Sequence, residues 1–326
     1  MSVEGFAAAS FTRAVGAGLD PHEYQRVTTE LAALDDWDEA FIRAGRQHLA
    51  RAEKAASSVS AGEHYQVAAR WFHFATLAPQ AEYALAAAEA DAAMGRALAL
   101  LEPHVRRIEG PGFTGWLRGR TDATSTVIVV PGLDSSKEEF HAVIAALLRR
   151  GVAVFAMDGP GQGALAATST IRPDYHTVVG QVIDALGVDR VGLIGLSLGG
   201  YYVAETAAHE PRVAATAAVS GPFRLDLDAL PPPVQDVLAR RAGGTAAARD
   251  FARQVDLSTL APRVAGPLLV VDGGQDVIPG VTNGEPLARL APYGKYLLVP
   301  HGDHLLGNAQ SDWLPATADW LAGEIR

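Results

Sequence analysis

Residues 195–199 read Gly-Leu-Ser-Leu-Gly and have the form G-x-S-x-G, in which small residues flank a central serine. An apolar run, residues 190–196, precedes the serine, and a helical pattern begins at Leu198. A sharp turn from a strand into a helix exposes such a serine oxygen at the carboxyl edge of a sheet, and small neighbours prevent clashes in the strained turn. We therefore predict that Ser197 is a nucleophile.

A serine nucleophile needs a base and a carboxylate, and the strand–turn–helix context places these in the chain order Ser, Asp, His. Two aspartates follow the apolar run 267–271. Asp276 lies within the loop after that run, whereas Asp272 abuts the run and is typical of a turn-forming residue. The pattern favours Asp276 as the acid of the triad.

Two histidines follow the apolar run 296–299. His304 lies beyond the turn at Gly302 and can reach back over the sheet edge, so we predict that it is the base, while His301 supports the loop. The pair is weak evidence for zinc because no third ligand motif accompanies it. We expect neither a metal nor a cofactor.

Acyl chemistry also needs hydrogen-bond donors for the developing oxyanion. The backbone N–H of Leu198 is one predicted donor, and that of Leu133, in the loop after the apolar run 126–130, is the other. Residues 136–139 read Ser-Lys-Glu-Glu, which predicts a capping box that starts a helix and gives Lys137, Glu138 and Glu139 structural roles. Residues 158–163, Asp-Gly-Pro-Gly-Gln-Gly, match no nucleotide-binding loop and are interpreted as a rigid pocket rim.

Strands must position these loops. Near Pro103 the helical pattern of the sequence ends, and short apolar runs typical of strands begin. Residues 104–120 predict a β-hairpin that opens a sheet. Six apolar runs then alternate with helical stretches, and such runs are typical of a parallel sheet covered on both faces. The runs are 126–130, 152–157, 190–196, 213–219, 267–271 and 296–299. The predicted fold class is α/β, an α/β-hydrolase fold, and residues 221–262 are predicted to form a short cap inserted in the catalytic domain, 103–326.

Residues 1–102 predict an N-terminal, all-helical domain, because residues 20–101 are rich in Ala, Leu, Glu and Arg with apolar residues three and four apart. One amphipathic helix is expected to contain Leu31, Leu34, Trp37, Phe41 and Ile42. A second contains Val67, Trp71 and Phe74, and a third contains Leu85, Ala88, Ala92 and Leu98.

The amino-acid composition is that of a globular protein and argues against several classes of partner. With 48% hydrophobic and 20% charged residues among 326, the chain resembles ordinary globular proteins. The net charge of −10 without a basic run argues against nucleic-acid partners, and the absence of cysteine excludes disulfides and thiol nucleophiles. The N-terminus lacks the basic region of a secretory signal, and the apolar stretch 191–204 is too short and Gly-rich to span a membrane. We expect a cytoplasmic protein without membrane contact.

Four motifs together resemble a known group. Residues 131–139, 158–163, 197–200 and 302–304 are similar to motifs of the α/β-hydrolase family that includes 2,6-dihydroxypseudooxynicotine hydrolase, fungal polyketide chain-shortening hydrolases and related esterases. The resemblance covers residues from about 103 to the C-terminus, and Tyr65, Arg70, Trp71 and His73 extend it loosely into the helical block. It departs from the family at Ala164, where a glutamate is common, and at Tyr201.

The resemblance implies a triad of Ser197, Asp276 and His304, a homodimer, and a small-molecule substrate held between the helical domain and the catalytic domain. It also implies hydrolysis of a carbon–carbon or ester bond in an aromatic or polyketide-like compound. The alternative within the family is a lyase that eliminates acetate from an O-acetylated tetronate. A catalytically inactive binding protein is disfavoured by the intact triad. Tyr201, Asp158, Phe72 and His73 are the predicted substrate contacts.

Overall fold

The computed structural model describes residues 2–78 and 83–326, which form two compact units. The first unit runs to Val105 and also includes Glu138–Ala142. The second unit comprises Arg106–Lys137 and Val143–Arg326. The chain therefore leaves the second unit for five residues and then returns to it.

The first unit is helical. Its helices are α1 (Val3–Gly16), α2 (Pro21–Thr29), α3 (Trp37–Glu53), α4 (Ser58–Ala75) and α5 (Tyr83–Leu101). Side-chain oxygens satisfy backbone donors where three of them begin: Ser2 caps α1, Asp20 caps α2 and Ser57 caps α4. Pro21, the first residue of α2, loses no hydrogen bond because the first turn of a helix has no internal acceptor for that N–H.

Aromatic side chains form the core of this unit. The Trp37 ring stacks on Phe41 with centroids 4.1 Å apart, and its Nε1 donates to the carbonyl of Phe74 at 2.9 Å. The buried Tyr24 hydroxyl donates to the carbonyl of Ala7 at 2.9 Å. Each buried polar atom of these rings thus has a backbone partner, as buried amphipathic aromatics require.

One predicted helix begins later than its apolar pattern suggested. Leu31 and Leu34 were assigned to the same helix as Trp37, but α3 begins at Trp37 and residues 34–36 form a 3-10 turn. Asp36 accepts a hydrogen bond from the backbone N–H of Ala33 at 2.9 Å. This local bond fixes a turn ahead of the helix, since aspartate competes with helical backbone bonding. Helix α1 was not predicted.

The second unit is built on a sheet whose strands confirm the predicted α/β-hydrolase fold. The strands are β1 (Arg106–Gly110), β2 (Phe113–Arg118), β3 (Thr126–Val130), β4 (Ala153–Asp158), β5 (Val191–Leu196), β6 (Val213–Val219), β7 (Arg224–Leu225), β8 (Leu268–Gly273), β9 (Val281–Thr282) and β10 (Gly294–Val299). Eight form one sheet in the order β1-β2-β4-β3-β5-β6-β8-β10, while β7 and β9 pair separately. Each of the six apolar runs forms a strand whose ends lie within two residues of the predicted ones.

The register of the sheet brings the ends of its strands together. The hairpin β1–β2 is antiparallel, as is β2 against β4, and the other pairs of the large sheet are parallel. Strands β3, β5, β6 and β8 are buried almost throughout. Val130 is level with Gly195, and Val219 is level with both Leu196 and Val271. The loops that follow these strands therefore emerge side by side at the carboxyl edge, where ligands bind in open parallel sheets.

The chain from residue 141 onward also forms seven α-helices. They are α6 (His141–Leu148), α7 (His176–Leu186), α8 (Leu198–His209), α9 (Pro232–Ala242), α10 (Thr245–Gln254), α11 (Glu285–Leu290) and α12 (Gln310–Glu324). Two of them, α9 and α10, occupy the segment predicted as a cap. Across residues 2–78 and 83–326, no helix combines the length and apolar character needed to cross a bilayer.

The predicted capping box at residues 136–139 is wrong. Residues 137–139 form a turn, and α6 begins only at His141. Buried ion pairs explain the difference, because Lys137 bonds to Asp158 and Glu139 bonds to Arg13. Lys137 and Glu139 therefore bind partners that are distant in sequence and do not cap a helix.

We predict that Gly195→Ala destabilises the second unit. A Cβ at this position would lie 2.0 Å from the carbonyl oxygen of Gly199, a backbone atom in the first turn of α8. Overpacking of this kind costs about 1–3 kcal/mol, measurable as a lower midpoint of denaturant unfolding. Gly323→Ala is the matched control, since a Cβ there meets nothing within 4 Å and should leave the midpoint unchanged or raise it. Equal midpoints for both variants would contradict the prediction.

Candidate active site

Ser197 occupies a strained backbone conformation between β5 and α8. Its φ is 56° and its ψ is −130°, outside the regions that serine prefers. Its N–H donates to the carbonyl of Val219 at 2.9 Å, and its carbonyl accepts from the N–H of Gly200 at 2.7 Å. A Cβ on Gly199 would lie 2.3 Å from the carbonyl oxygen of Val130. The turn therefore requires small neighbours, as the motif predicted.

His304 lies within hydrogen-bond distance of the serine. Its Nε2 is 3.0 Å from Ser197 Oγ, and its side chain is about one-third exposed. The two residues after it, Leu305 and Leu306, have φ angles of 68° and 52°. The N–H of Leu305 donates to Ser220 Oγ at 3.1 Å, and this bond anchors the kinked loop beside the end of β6.

Asp276 completes a chain of three side chains. Its Oδ2 is 2.9 Å from His304 Nδ1, and its side chain is buried. The N–H of Asp276 donates to the carbonyl of Gly273, while its own carbonyl accepts from Asn283 Nδ2 at 2.7 Å. A carboxylate at Nδ1 orients the imidazole so that Nε2 can accept a proton from the serine.

The two competing residues lie elsewhere. Asp272 Oδ2 accepts from the N–H of Gly284 at 2.9 Å, and burial raises the pKa of this carboxyl to about 6. His301 is exposed and bonds through Nε2 to Asp312 at 2.9 Å. The geometry thus joins Asp276 and His304 to Ser197 and gives the alternatives separate partners.

The two predicted oxyanion donors belong to segments that adjoin Ser197. Leu198 is the first residue of α8, so the helix offers its N–H no internal acceptor. The loop after β3 contains Leu133, and a Cβ on Gly132 would lie 3.3 Å from Ser197 Oγ. The backbone of this loop therefore passes directly beside the serine oxygen.

The four predicted substrate contacts are buried residues. Tyr201 donates its hydroxyl to the carbonyls of Pro173 and Gln254, and the Asp158 carboxylate bonds to Lys137 Nζ at 2.6 Å. The other two, Phe72 and His73, belong to α4. Direct contact of these residues with a substrate stays a prediction.

In the helical unit, Phe72 and His73 have different surroundings. Phe72 is fully buried, and its ring occupies the space beside Gly45, where a Cβ would lie 2.6 Å from it. His73 Nε2 lies 3.0 Å from the Glu139 carboxylate, which also accepts from Arg13 at 2.6 Å. Burial alone raises the pKa of Glu139, but Arg13 and His73 outweigh burial and lower it well below its usual range.

Sequence reasoning missed Gln162 as a component of the site. The residue is fully buried, and its Nε2 donates to the carbonyls of Pro131 and Gly132 at 2.6 and 3.0 Å. The sequence pattern indicates only a rigid rim for the loop 158–163. The available signal was a lone glutamine among three glycines and one proline. If such a glutamine is buried, its amide needs several hydrogen-bond partners, which the neighbouring loops would have to supply.

We predict that Asp272→Asn stabilises the protein above pH 6. The folded-state pKa of Asp272 is raised above its ordinary value of 3.8, so the folded state binds the proton more tightly than the unfolded state. Stability from this group therefore falls as pH rises from about 4 to about 6, and the full penalty of about 2–3 kcal/mol remains above that window. Denaturant unfolding of both proteins between pH 4 and 8 tests this. A stability difference that does not change with pH would contradict it.

The site geometry is accompanied by similarity to known proteins. A family model described as serine aminopeptidase, S33, matches residues 121–261. The chain is 30% identical over 230 residues to 2,6-dihydropseudooxynicotine hydrolase of Paenarthrobacter nicotinovorans, covering 67% of this chain and 60% of the relative. It is 32% identical over 223 residues to hydrolase LUC6 of a Fusarium species, covering 59% and 53%. The alignments thus span less than two thirds of these relatives.

Solved structures show the same fold over more of the chain. The crystal structure of 2,6-dihydroxy-pseudo-oxynicotine hydrolase matches with a TM-score of 0.84 at 24% identity, covering 96% of this chain and 95% of that one. A structure of AbyA5 matches with a TM-score of 0.71 at 24% identity, covering 88% and 89%. Together with the family model and the curated relatives, these matches confirm the resemblance inferred from the motifs. The chain is thus similar in sequence to 2,6-dihydropseudooxynicotine hydrolase and has the α/β-hydrolase fold.

Proposed function

We propose that this chain is a serine hydrolase that cleaves a carbon–carbon or ester bond beside a carbonyl group in an aromatic or polyketide-like small molecule. The observation that carries the proposal is the hydrogen-bonded chain from Ser197 through His304 to Asp276, with links of 3.0 and 2.9 Å. Such a chain activates a hydroxyl that is otherwise a weak nucleophile at neutral pH.

In the first half-reaction, Ser197 Oγ attacks the carbonyl carbon while His304 Nε2 accepts the hydroxyl proton. The carbonyl oxygen becomes an oxyanion, for which the N–H groups of Leu198 and Leu133 are the proposed donors. When the tetrahedral intermediate collapses, the bond to the leaving group breaks and His304 returns the proton to it. The leaving group is an alkoxide in ester cleavage and a stabilised carbanion in carbon–carbon cleavage.

In the second half-reaction, His304 accepts a proton from water and the resulting hydroxide adds to the acyl carbon. Collapse of this second intermediate releases a carboxylic acid and restores Ser197 with its proton. Asp276 stabilises the imidazolium in both halves without accepting a proton itself. Its burial supports this role, because an ion pair is stronger where solvent is excluded.

The substrate class is supported by the relatives rather than by the fold, since one fold serves many reactions. One relative is named for hydrolysis of a pseudooxynicotine, an aromatic ketone, and the next is also named a hydrolase. These names favour hydrolysis over acetate elimination, the alternative raised by the sequence. We therefore propose aryl ketones and esters of small aromatic acids as the compounds to test.

We predict that Ser197→Ala keeps the fold and lowers kcat by about 10⁴-fold or more, because triad members act as a unit. The measurement is turnover of an ester identified by screening, with circular dichroism to verify folding. Covalent labelling by a fluorophosphonate should be lost in the same variant. Near-normal turnover in Ser197→Ala would remove the nucleophile assignment.

We predict that Asp276→Asn lowers kcat by about 10⁴-fold, because an amide at His304 Nδ1 favours the wrong imidazole tautomer. Asp272→Asn is the matched control, since Asp272 bonds to the N–H of Gly284 and not to His304. It should retain kcat within about threefold. The reverse result would transfer the role of the acid to Asp272.

The fate of water separates hydrolysis from elimination. In ¹⁸O-labelled water, hydrolysis through an acyl-enzyme places one labelled oxygen in the released carboxylate and generates no alkene. Mass spectrometry of both products measures this, and buffer without enzyme gives the background. A new alkene in the parent skeleton would contradict the proposal and assign the enzyme to the lyases.

A further inference from the structure

The loop Asp158–Gly163 contacts the backbone on both sides of the predicted oxyanion donor Leu133. On one side, Gln162 Nε2 donates to the carbonyls of Pro131 and Gly132. On the other, the Asp158 carboxylate accepts from the backbone N–H of Lys137 at 2.8 Å and from its Nζ at 2.6 Å. The loop therefore fixes both ends of the segment that passes beside Ser197.

The side chain of Gln162 is itself held in one orientation. Its Oε1 accepts from the N–H of Gly159 at 3.0 Å and from the hydroxyl of Tyr175 at 2.8 Å. Both partners are hydrogen-bond donors, so they bind the oxygen of the amide and leave the NH₂ group toward the carbonyls. A Cβ at Gly159 would lie 2.0 Å from the Tyr175 hydroxyl, so this arrangement requires glycine there.

The peptide between Gly132 and Leu133 connects the hydrogen bond of Gln162 to the proposed oxyanion donor. The carbonyl of Gly132 and the N–H of Leu133 belong to the same planar, trans peptide and point in opposite directions. A bond from Gln162 to that carbonyl therefore fixes the N–H of Leu133 on the opposite side. If the peptide rotated, a carbonyl oxygen would replace the N–H and repel the oxyanion.

We propose that Gln162 is a positioning residue that orients the Gly132–Leu133 peptide as an oxyanion donor. The role rests on the proposed serine hydrolase function, because it matters only if negative charge develops beside Ser197. Gln162 contacts the loop and not the reacting atoms. It should therefore affect stabilisation of the transition state more than binding of substrate.

Gln162→Met tests the proposal, since methionine has a similar length but neither donates to the two carbonyls nor accepts strongly. A misplaced donor should lower kcat by roughly 10- to 100-fold while KM changes less than about threefold. Affinity for a trifluoromethyl ketone, which forms a tetrahedral adduct with serine, should fall in parallel with kcat. Gln235→Met is the matched control because Gln235 donates to the carbonyl of Leu230; its kinetics should equal those of the wild type.

Labelling of Ser197 by a fluorophosphonate tests the serine hydrolase function and the role of Gln162 separately. If wild-type Ser197 is unreactive, the proposed function is wrong and the role of Gln162 falls with it. If wild-type Ser197 reacts and Gln162→Met reacts equally fast, only the role of Gln162 is refuted. If Gln162→Met does not fold, Gln162→Glu is the second variant to test. It keeps the oxygen that accepts from Gly159 and Tyr175 but lacks the NH₂ group that donates to the two carbonyls. Unchanged kcat in folded Gln162→Glu would overturn the proposal.

A separate cluster of side chains lies near the other end of α8. Glu205 and His209 are one helical turn apart on α8, and His176 is the first residue of α7. The Nδ1 atoms of His176 and His209 lie 2.5 and 3.1 Å from the same oxygen, Glu205 Oε1. Glu205 is eight residues from Ser197, about 12 Å along the helix, so this cluster is distinct from the candidate active site.

The cluster offers the ligand set of a transition-metal site. Its three ligand atoms lie within 4.8 Å of one another, and tetrahedral zinc with bonds of about 2.0–2.2 Å would hold them about 3.3–3.6 Å apart, a change that small side-chain shifts can supply. The N–H of His176 donates to Glu205 Oε2 at 2.8 Å and orients the carboxylate.

We infer that His176, Glu205 and His209 bind Zn²⁺ or a cation of the same class, which would join α7 to α8. Calorimetric titration of chelator-treated protein with ZnCl₂ should show one site per chain, and zinc should raise Tm. Both effects should be lost in His176→Gln and in His209→Gln. They should persist in His22→Gln, which changes an exposed histidine of the helical unit. Absence of binding, or binding that survives the first two substitutions, would overturn the inference.

Discussion

The backbone conformation of Ser197 is the constraint on which the rest of the site depends. A non-glycine residue at a φ of 56° and a ψ of −130° costs about 1–3 kcal/mol and persists only where its surroundings determine it. Here the surroundings are the buried strand β5, the bond from Ser197 N–H to Val219, and the close packing of Gly195 against Gly199. In this turn the Ser197 hydroxyl lies 3.0 Å from Nε2 of His304, which belongs to a later loop.

Strain also recurs in the loops that meet Ser197. Among the described non-glycine residues, positive φ angles occur at Ser197, Ser220, Leu305 and Leu306, and all four follow strands at the carboxyl edge of the sheet. Ser220 connects two of these loops, because its Oγ accepts from the N–H of Leu305 directly after His304. The unfavourable backbone conformations are therefore mutually supported around one point, as expected where local strain serves a site.

The sequence predicted the parts of this arrangement that depend on local pattern. Buried parallel strands are apolar throughout, so β3 and β5 were recognisable, and Ser197, Asp276 and His304 follow strand ends that the sheet brings together. Partners distant in sequence were not predictable. Residues 136–139 have the spacing of a helix cap, but the partners of Lys137 and Glu139 lie 21 and 126 residues away along the chain. The hydrogen bonds of Gln162 were not predictable for the same reason, since it bonds to a loop 30 residues earlier.

The buried pair of Lys137 and Asp158 shows how stability and positioning differ in this fold. Both side chains are almost completely buried, and removing two charges from water costs several kcal/mol per ion before their attraction is counted. Such a pair adds little net stability, but its directional bonds specify one arrangement of the two loops. Asp158 accepts from Lys137 N–H, Lys137 Nζ and Ala164 N–H, so three donors determine its orientation. An apolar pair of equal volume could replace its stability but could not fix the backbone between Gly132 and Lys137, which passes beside Ser197.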